Sequence, residues 1–354
     1  MTVVDQTRLE EFLGRVVGDL SAAYGGAMAS LGGKLGLYSA MAGGGPLTSA
    51  EVARRAGCDE RLVREWLNSQ AAGGYVEYHP QSHCYELTPE QAAVLADPES
   101  PVYVTPAWDV PASMFIDEDQ TIEAFRTGGG VGWGERHPRL HHGIAGFYRN
   151  AYHATVATEW IPALDGVAEV LAAGGRAADV GCGHGHSTVA MAQAFPAASF
   201  HGFDTHPESV EVARANARAA GVDDRTTFEV ADASGFPGDG YDLICFFDAL
   251  HDFGDPVGAL RRSAEALAPG GAVMLVEPYA GDRVEDNLNP VGRIYYAAST
   301  VICTAHGISE GGSDVLGAQA GQARIAEVCR RAGLPRVRRA AETPFNLILE
   351  ARAA

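Results

Sequence analysis

Hydrophobic and polar positions divide the chain into two halves with different periods. In residues 5–72 apolar residues recur at spacings of three and four, which is typical of amphipathic helices. After residue 166, short runs rich in β-branched and aromatic residues alternate with helical segments, as in a parallel sheet covered by helices on both faces. The sequence therefore predicts an α/β protein in which a mainly helical domain precedes a Rossmann-like, doubly wound domain.

The helical half has the order of elements of a winged helix. Thr48 and Glu51 have the spacing of a capping box, and Asp59 is placed to start the next helix. Residues 75–88 alternate apolar and polar around a His-Pro-Gln-Ser turn, which predicts a hairpin. We expect three parts: a winged-helix dimerisation domain over 1–99, a helical connector or lid that lines the substrate site over 100–165, and the Rossmann-like domain over 166–354.

Charge and composition exclude several classes of partner. The chain carries 26 basic and 45 acidic side chains, a net charge of −19, which disfavours nucleic acid and anionic membranes. Arg61 and Arg64 of the would-be recognition helix stand among Asp59, Glu60 and Glu65. No apolar run reaches the roughly 20 residues of a membrane span. The six cysteines show no CxxC spacing. We expect a cytoplasmic protein with no nucleic-acid or membrane partner.

A glycine-rich loop follows the first predicted strand. The strand ends at Asp179, and Gly181, Gly183 and Gly185 form a G-x-G-x-G turn before a helix. Glycines at such a turn let the backbone approach a ligand at the helix N-terminus. The spacing is shorter than that of a dinucleotide site, and the Asp179 carboxylate would repel phosphate but suit a cationic amino-acid group. These four residues are predicted cofactor contacts.

Polar residues at the ends of the next strands extend this site. Asp204 ends the second strand and is placed to accept both hydroxyls of a ribose, and Asp232 after the third strand is placed to bond an adenine amino group. Ala233, beside Asp232, and Phe247, at the end of the fourth strand, complete the predicted cofactor contacts. An acid before a glycine loop, a ribose acid and an adenine acid in this order resemble the class I S-adenosylmethionine-dependent methyltransferases, over about residues 166–354. The resemblance implies S-adenosylmethionine as cofactor.

With a winged helix in front, the whole chain resembles the small-molecule O-methyltransferases. The segments YDLICFFDALHDFGDPVGA, VEPYAGDRVEDNLNPVGR and RRAAETPFNLILEAR are similar to a bacterial branch of winged-helix methyltransferases. The resemblance implies a homodimer formed through the N-terminal domain, a winged helix that covers the substrate site without touching DNA, and a small-molecule substrate of secondary metabolism.

A His-Asp pair follows the fourth strand. His251-Asp252-Phe253 is similar to the His-Asp-Trp stretch of plant-type O-methyltransferases, with phenylalanine in place of tryptophan. The resemblance implies that His251 is the general base that deprotonates a phenol or hydroxyl, a role that suits an imidazole near neutral pH.

His306, in the segment after the fifth strand, suggests a second chemistry. His251, Asp252 and His306 would supply two imidazoles and one carboxylate, a set that leaves open positions on iron or zinc. Some related bacterial enzymes that C-methylate α-keto acids hold a metal by a similar set, and the metal would acidify the C–H beside the keto group. The favoured prediction is metal-assisted C-methylation of an α-keto acid; metal-independent O-methylation with His251 as base is the alternative.

Two arginines of the connector are candidates for binding the substrate. Arg126 and Arg149 could each meet a substrate carboxylate. Glu277, after the fifth strand, is expected to be structural or to line the entrance.

Overall fold

The computed structural model describes residues 4–354, which form two compact units. The first unit comprises residues up to Ser113 together with Pro138–Asn150, and the second comprises Met114–His137 together with Ala151–Ala354. The segment expected to be a connector is therefore helical and divided between the two units. The boundaries predicted at residues 99 and 165 stay predictions.

Helices dominate the first part of the chain, and the local sequence explains where they begin. Thr48 and Glu51 form the predicted capping box, with Thr48 N–H donating to Glu51 Oε2 at 2.8 Å. Asp59 caps the next helix by accepting from Leu62 N–H at 3.1 Å. Both helix starts predicted from the sequence are confirmed. The elements up to residue 155 are α1 Gln6–Lys34, α2 Leu37–Met41, α3 Ser49–Ala56, α4 Glu60–Ala72, β1 Glu77–His79, β2 Cys84–Glu86, α5 Pro89–Leu95, α6 Asp109–Ile116, α7 Glu118–Thr127 and α8 Pro138–Thr155.

The first unit has its own core, and its hairpin is the wing. Tyr38 and Trp66 pack edge to face with ring centroids 5.1 Å apart, inside a cluster of buried side chains from α2, α3 and α4. The strands β1 and β2 pair antiparallel, and Leu47 forms a further bridge to Tyr85 of β2. The order of helices followed by a hairpin confirms the winged-helix prediction.

The second unit alternates strands and helices around one sheet. Strand β6 is buried from Leu243 to Phe247, as expected for a parallel strand covered on both faces. The elements after residue 156 are α9 Val167–Ala172, β3 Arg176–Val180, α10 His186–Ala194, β4 Ser199–Asp204, α11 Pro207–Ala219, β5 Thr226–Val230, β6 Tyr241–Phe247, α12 Pro256–Ala266, β7 Leu267–Pro278, α13 Pro290–Ala298, α14 Thr304–Ser309, α15 Gly321–Arg331, β8 Arg336–Glu342 and β9 Asn346–Arg352.

The order of strands places the ligand edge of the sheet. The seven strands run β5-β4-β3-β6-β7-β9-β8, with β3 to β7 parallel and with β9 antiparallel to both β7 and β8. The chain leaves β3 toward β4 on one side and returns to β6 on the other. In such sheets ligands bind outside the carboxyl ends of the strands at this switch point.

The sheet and the helices can be compared with what the sequence predicts. The α/β class and the doubly wound core are confirmed, but the sheet is mixed because β8 and β9 form an antiparallel pair at its edge. Strand β8 was not predicted, since its Arg-rich sequence carries no apolar run. Within residues 4–354, no helix combines the length and apolar character that a membrane span requires.

Candidate active site

The glycine loop lies where β3 ends, and all three of its glycines have positive φ. Gly181, Gly183 and Gly185 have φ values of 77°, 51° and 73°. A Cβ on Gly185 would lie 2.8 Å from the Cβ of Ala213, and one on Gly181 would lie 2.7 Å from the Cβ of Ala249. A Cβ on Gly183 would meet no atom within 4 Å. The outer two glycines are therefore required by close packing, and the middle one borders open space.

Asp179 is the buried acid beneath this loop. It is 1% exposed, and its Oδ2 accepts hydrogen bonds from the hydroxyls of Ser187 and Thr188, both at 2.6 Å. Its Oδ1 is buried and has no hydrogen-bond partner among residues 4–354. Burial raises the pKa of Asp179 to about 6, although the two hydroxyls lower it. An unsatisfied carboxylate oxygen at this place fits a cationic donor on a ligand.

Asp204 at the end of β4 is fixed over the loop by backbone amides. Its Oδ2 accepts from Gly183 N–H and its Oδ1 from His206 N–H, each at 2.8 Å. These two bonds orient the carboxylate over the loop. The structure thus brings Asp179, Asp204 and the glycine loop together, as the sequence predicts.

The remaining predicted cofactor contacts lie at neighbouring strand ends. Asp232 follows β5, is exposed, and accepts from the backbone N–H and hydroxyl of Ser234 at 2.7 and 2.5 Å. Ala233 is half-buried beside it. Phe247 ends β6, is 5% exposed, and stacks on Trp160 with ring centroids 6.5 Å apart.

Asp248, directly after β6, holds a strained backbone conformation with φ 49°. Its carboxylate accepts from the Tyr152 hydroxyl and from the Asn346 side-chain amide, each at 2.8 Å. The Tyr152 ring also contacts Phe247, with centroids 5.2 Å apart. Non-glycine residues persist at positive φ only where their surroundings fix them, often at functional sites. This network fixes the turn that leads from β6 to His251.

His251 lies in the short 3₁₀ turn after β6, between two carboxylates. Its Nδ1 lies 2.6 Å from Glu277 Oε2 at the end of β7, and its Nε2 lies 3.2 Å from Asp252 Oδ1. The latter contact lacks the alignment of a hydrogen bond, so Nε2 is not committed to Asp252. His251 and Glu277 are 5% and 1% exposed. Glu277 therefore orients the imidazole, a more specific role than the structural or entrance-lining one expected from the sequence.

The charges around His251 determine its protonation. Burial alone would lower the pKa of His251, but the carboxylates of Asp252 and Glu277 raise it, and the net pKa lies well above the ordinary value. The pair of acids thus favours the imidazolium, which is the state that a general base reaches when it accepts a proton.

Cys303 is the third member of a group that includes His251 and Asp252. One ligating atom from each of the three lies within 4.8 Å of the others. Burial raises the pKa of the Cys303 thiol to about 12. Nothing in the sequence pattern singled out Cys303, because it stands alone in a helical segment far from the His-Asp pair.

The structure does not bring His306 into this group. On α14, His306 Nδ1 accepts from Trp133 N–H at 3.2 Å, and its Nε2 lies 3.4 Å from Glu310 Oε1. The metal-ligating group found among residues 4–354 is His251, Asp252 and Cys303, without His306. His306 instead contacts Trp133 and Glu310.

The two arginines predicted to bind substrate lie in different units. Arg126 is exposed on α7 in the second unit, where it lines a cavity of about 530 Å³. Arg149 lies in the first unit and pairs there with Glu99 at 3.2 Å.

Comparison with known proteins agrees with this geometry. Residues 171–331 match the family of methyltransferase domains, and residues 23–97 match that of the Rv2258c-like winged helix-turn-helix domain. The chain has the class I S-adenosylmethionine-dependent methyltransferase fold, with a winged-helix domain in front of it. The family match confirms the methyltransferase domain that the glycine loop and the strand-end acids predict.

The curated relatives and solved structures to which the chain is similar include proteins named as methyltransferases. The 27-O-demethylrifamycin SV methyltransferase of Amycolatopsis mediterranei is 35% identical over 147 residues, which cover 40% of this chain and 51% of the relative. The chain thus spans about half the length of the curated relatives it matches. Mitomycin 7-O-methyltransferase MmcR is 20% identical with a TM-score of 0.70 over 98% of this chain and 100% of that one. Human N-acetylserotonin methyltransferase, solved in complex with SAM, is 17% identical with a TM-score of 0.70 over 100% of each chain.

Proposed function

We propose that the protein transfers a methyl group from S-adenosylmethionine to an oxygen atom of a small molecule, with His251 as the general base. The observation that carries the proposal is the His251–Glu277 pair, at the carboxyl edge of the same sheet as the glycine loop. Relatives named for 27-O-demethylrifamycin SV and for mitomycin support an acceptor from secondary metabolism.

The residues at the loop fit the proposed cofactor. The orphaned Oδ1 of Asp179 suits the amino group of the methionine part, and the Asp204 carboxylate, held by two amides, suits ribose hydroxyls. Asp232, Ala233 and Phe247 are proposed for the adenine side. When bound, S-adenosylmethionine supplies a methyl group on a sulfonium that an oxygen can attack.

The chain's own contribution to the reaction is positioning and proton transfer. Glu277 accepts the Nδ1 proton of His251 and leaves Nε2 as the site that takes the acceptor's hydroxyl proton. As the new O–C bond forms and the C–S bond breaks, the positive charge that develops on the imidazole is stabilised by Glu277 and Asp252. The burial of His251 keeps water from competing for this proton.

Metal-assisted C-methylation of an α-keto acid is the second candidate, and one observation favours it. His251, Asp252 and Cys303 could hold iron or zinc through three ligands, with Glu277 fixing the ring from Nδ1 as carboxylates do in many metal sites. His306 would not be a ligand in this arrangement. A metal on Nε2 would exclude the base role of His251, so the two candidates are mutually exclusive.

Metal content separates the two candidates. The protein, purified without chelator or immobilised nickel, is analysed by mass spectrometry beside Cys303→Ala and His306→Ala. O-methylation predicts less than about 0.1 equivalent of iron or zinc in all three proteins. Near one equivalent in the wild type and in His306→Ala, lost in Cys303→Ala, would replace the O-methylation proposal by C-methylation.

We also propose a homodimer formed through the N-terminal domain. On α1, six large side chains are 45 to 76% exposed and recur at helical spacing, whereas its buried residues lie near its C-terminal end. Such a contiguous apolar stripe is typical of an interface. Light scattering of the whole chain is expected to give twice the monomer mass, and Phe12→Arg is expected to give the monomer. The exposed residues are Leu9, Phe12, Leu13, Val17, Leu20 and Tyr24.

Two further parts of the proposal concern partners and location. We propose that residues 100–165 act as the lid of the acceptor site. We also propose that the protein, with its six free cysteines, works in the cytoplasm.

We propose no nucleic-acid partner: Arg61 pairs with Glu65 and Arg64 with Glu60, which neutralises the helix that would read DNA. Salt-dependent DNA binding in a gel-shift assay would contradict this.

A further inference from the structure

Arg136, which follows α7 in the second unit, is a buried cation that the proposed mechanism does not use. It is 5% exposed. Its Nη2 donates to the backbone carbonyl of Val301, and its Nη1 donates to Thr121 Oγ1 at 3.5 Å. Its Nε is buried and has no hydrogen-bond partner among residues 4–354. The acceptors of the guanidinium are thus neutral oxygens, and one of its donors is unused.

Burial of the Arg136 guanidinium lowers the stability of the fold unless an anion binds to it. A guanidinium stays protonated in proteins, so burial cannot remove its charge. Burial of a charge without a paired counter-charge, or of a donor without an acceptor, costs free energy. Burial lowers the pKa of Arg136, and the charges of two acids, Asp117 and Glu135, act in the opposite direction. Both already accept backbone hydrogen bonds, Asp117 from His137 N–H at 3.0 Å and Glu135 from Gly132 N–H at 2.7 Å. A planar carboxylate is the group that the fork of an arginine binds best.

A cavity adjoins this guanidinium. Thr121 and Val301, its two hydrogen-bond partners, both line the cavity of about 530 Å³ that also contains Arg126. One acid, Glu118, lies on the same wall. The other lining side chains are apolar: Met114, Phe115, Ile122 and Phe125. Phe115 and Phe125 are 73% and 70% exposed. The cavity is an open, largely apolar groove, and Arg136 lies behind two of its lining residues, Thr121 and Val301.

The same segment of chain borders both Arg136 and the proposed base. Val301 and Cys303 belong to one π-helical turn, Ser299–Cys303. The carbonyl of Val301 accepts from Arg136, and the thiol of Cys303 lies within 4.8 Å of ligating atoms of His251 and Asp252. Arg136 and the proposed base thus contact the same turn, at residues two positions apart.

We propose that Arg136 binds a carboxylate of the acceptor, so that the acceptor is a carboxylic acid whose methyl-accepting group is carried on an apolar body. This inference rests on the proposed function, because it names the substrate class of the same site. It assigns to Arg136 the role that the sequence suggested for Arg126 and Arg149.

The test compares acids with their amides. The wild-type protein, saturated with S-adenosylhomocysteine, is titrated calorimetrically with 4-hydroxybenzoate, 1-hydroxy-2-naphthoate and phenylpyruvate, and with the primary amide of each. At least one acid is expected to bind tenfold or more tightly than its amide. The preference is expected to fall below twofold in Arg136→Met, to survive in part in Arg136→Lys, and to be unchanged in Arg283→Met, an exposed arginine of the same unit.

The outcomes separate this inference from the proposed function. No preference for any acid in the wild type, or a preference that survives in Arg136→Met, overturns the inference. The wild-type comparison of acid with amide stands even if Arg136→Met does not fold. Failure of the wild type to bind S-adenosylhomocysteine would instead overturn the proposed function.

Discussion

The glycine loop and the His251 cluster lie at the same edge of one sheet, but they are built in different ways. The loop and Asp179 come from one short stretch of chain, in which packed glycines and the hydroxyls of Ser187 and Thr188 fix them. Asp204 joins them from the next strand and is held by backbone amides. The cluster joins His251, Glu277 and Cys303 from three separate elements through side chains alone. The cofactor half thus has a glycine-loop and backbone-amide frame from two adjacent strands, and the acceptor half is held by side chains from three distant elements.

The electrostatic environments of the two regions also differ. Burial raises the pKa of Asp179, and the hydrogen bonds from Ser187 and Thr188 offset this only in part. His251 is buried as well, yet its pKa is raised because two carboxylates outweigh the effect of burial. The difference implies that substitutions in the cluster change the rate and its pH dependence, whereas substitutions in the loop change stability and cofactor affinity.

The largest expected effect is that of His251→Ala on turnover. Loss of a general base lowers rates by about 10²- to 10⁴-fold, so we expect kcat to fall at least 100-fold while the affinity for S-adenosylhomocysteine changes less than twofold. Steady-state methyl transfer measures the first and calorimetry the second. His83→Ala, at an exposed histidine of the hairpin in the first unit, is the control. A kcat within fivefold of the wild type would remove His251 from the mechanism.

A smaller effect is expected on the loop side from Gly185→Ala. The new Cβ would lie 2.8 Å from Ala213, at a residue with φ 73°. Left-handed strain costs about 1–2 kcal/mol and overpacking about 1–3 kcal/mol. We expect the free energy of unfolding, measured in urea, to fall by roughly 2–5 kcal/mol on the sum of these two terms.

Gly183→Ala is the control for that loop prediction, because its Cβ meets no atom within 4 Å and only the strain remains. Equal destabilisation by the two substitutions would show that packing does not fix the loop.

The smallest expected effect is a shift in pH dependence caused by Asp252→Asn. The carboxylates raise the pKa of His251, and the base works only when neutral, so the activity of the wild type should rise with pH above neutrality. Removal of one carboxylate lowers this pKa and moves the rising limb of kcat/KM to lower pH. Asp223→Asn, an exposed acid, should leave the profile unchanged. A limb that moves to higher pH, or not at all, would contradict the assigned charges.

The sequence predicted the regions whose structure is local. The capping box at Thr48, the end of β3 near Asp179 and the glycine turn follow from spacing within a few residues. Asp204 is 21 residues from Gly183, and its place follows from the shared carboxyl edge of parallel strands.

The partners of His251 could not be predicted in the same way. Glu277 is 26 residues away and Cys303 lies on another helix, so only the order of strands brings them together. One sequence signal for Glu277 existed. Glu277 lies at the end of β7, which pairs in parallel with β6, the strand before His251, and parallel strands end at the same edge of a sheet. The burial of Arg136 had no sequence signal, because an arginine in a polar loop resembles a solvated one.

The most direct test is a calorimetric titration of S-adenosylhomocysteine into the wild type, Asp204→Ala and His251→Ala. We expect the wild type and His251→Ala to bind with the same affinity within twofold, and Asp204→Ala to bind at least tenfold more weakly because the ribose acid is lost. No binding by the wild type, an unchanged affinity in Asp204→Ala, or an equal loss in both variants would contradict the division of one sheet edge into a cofactor half and an acceptor half.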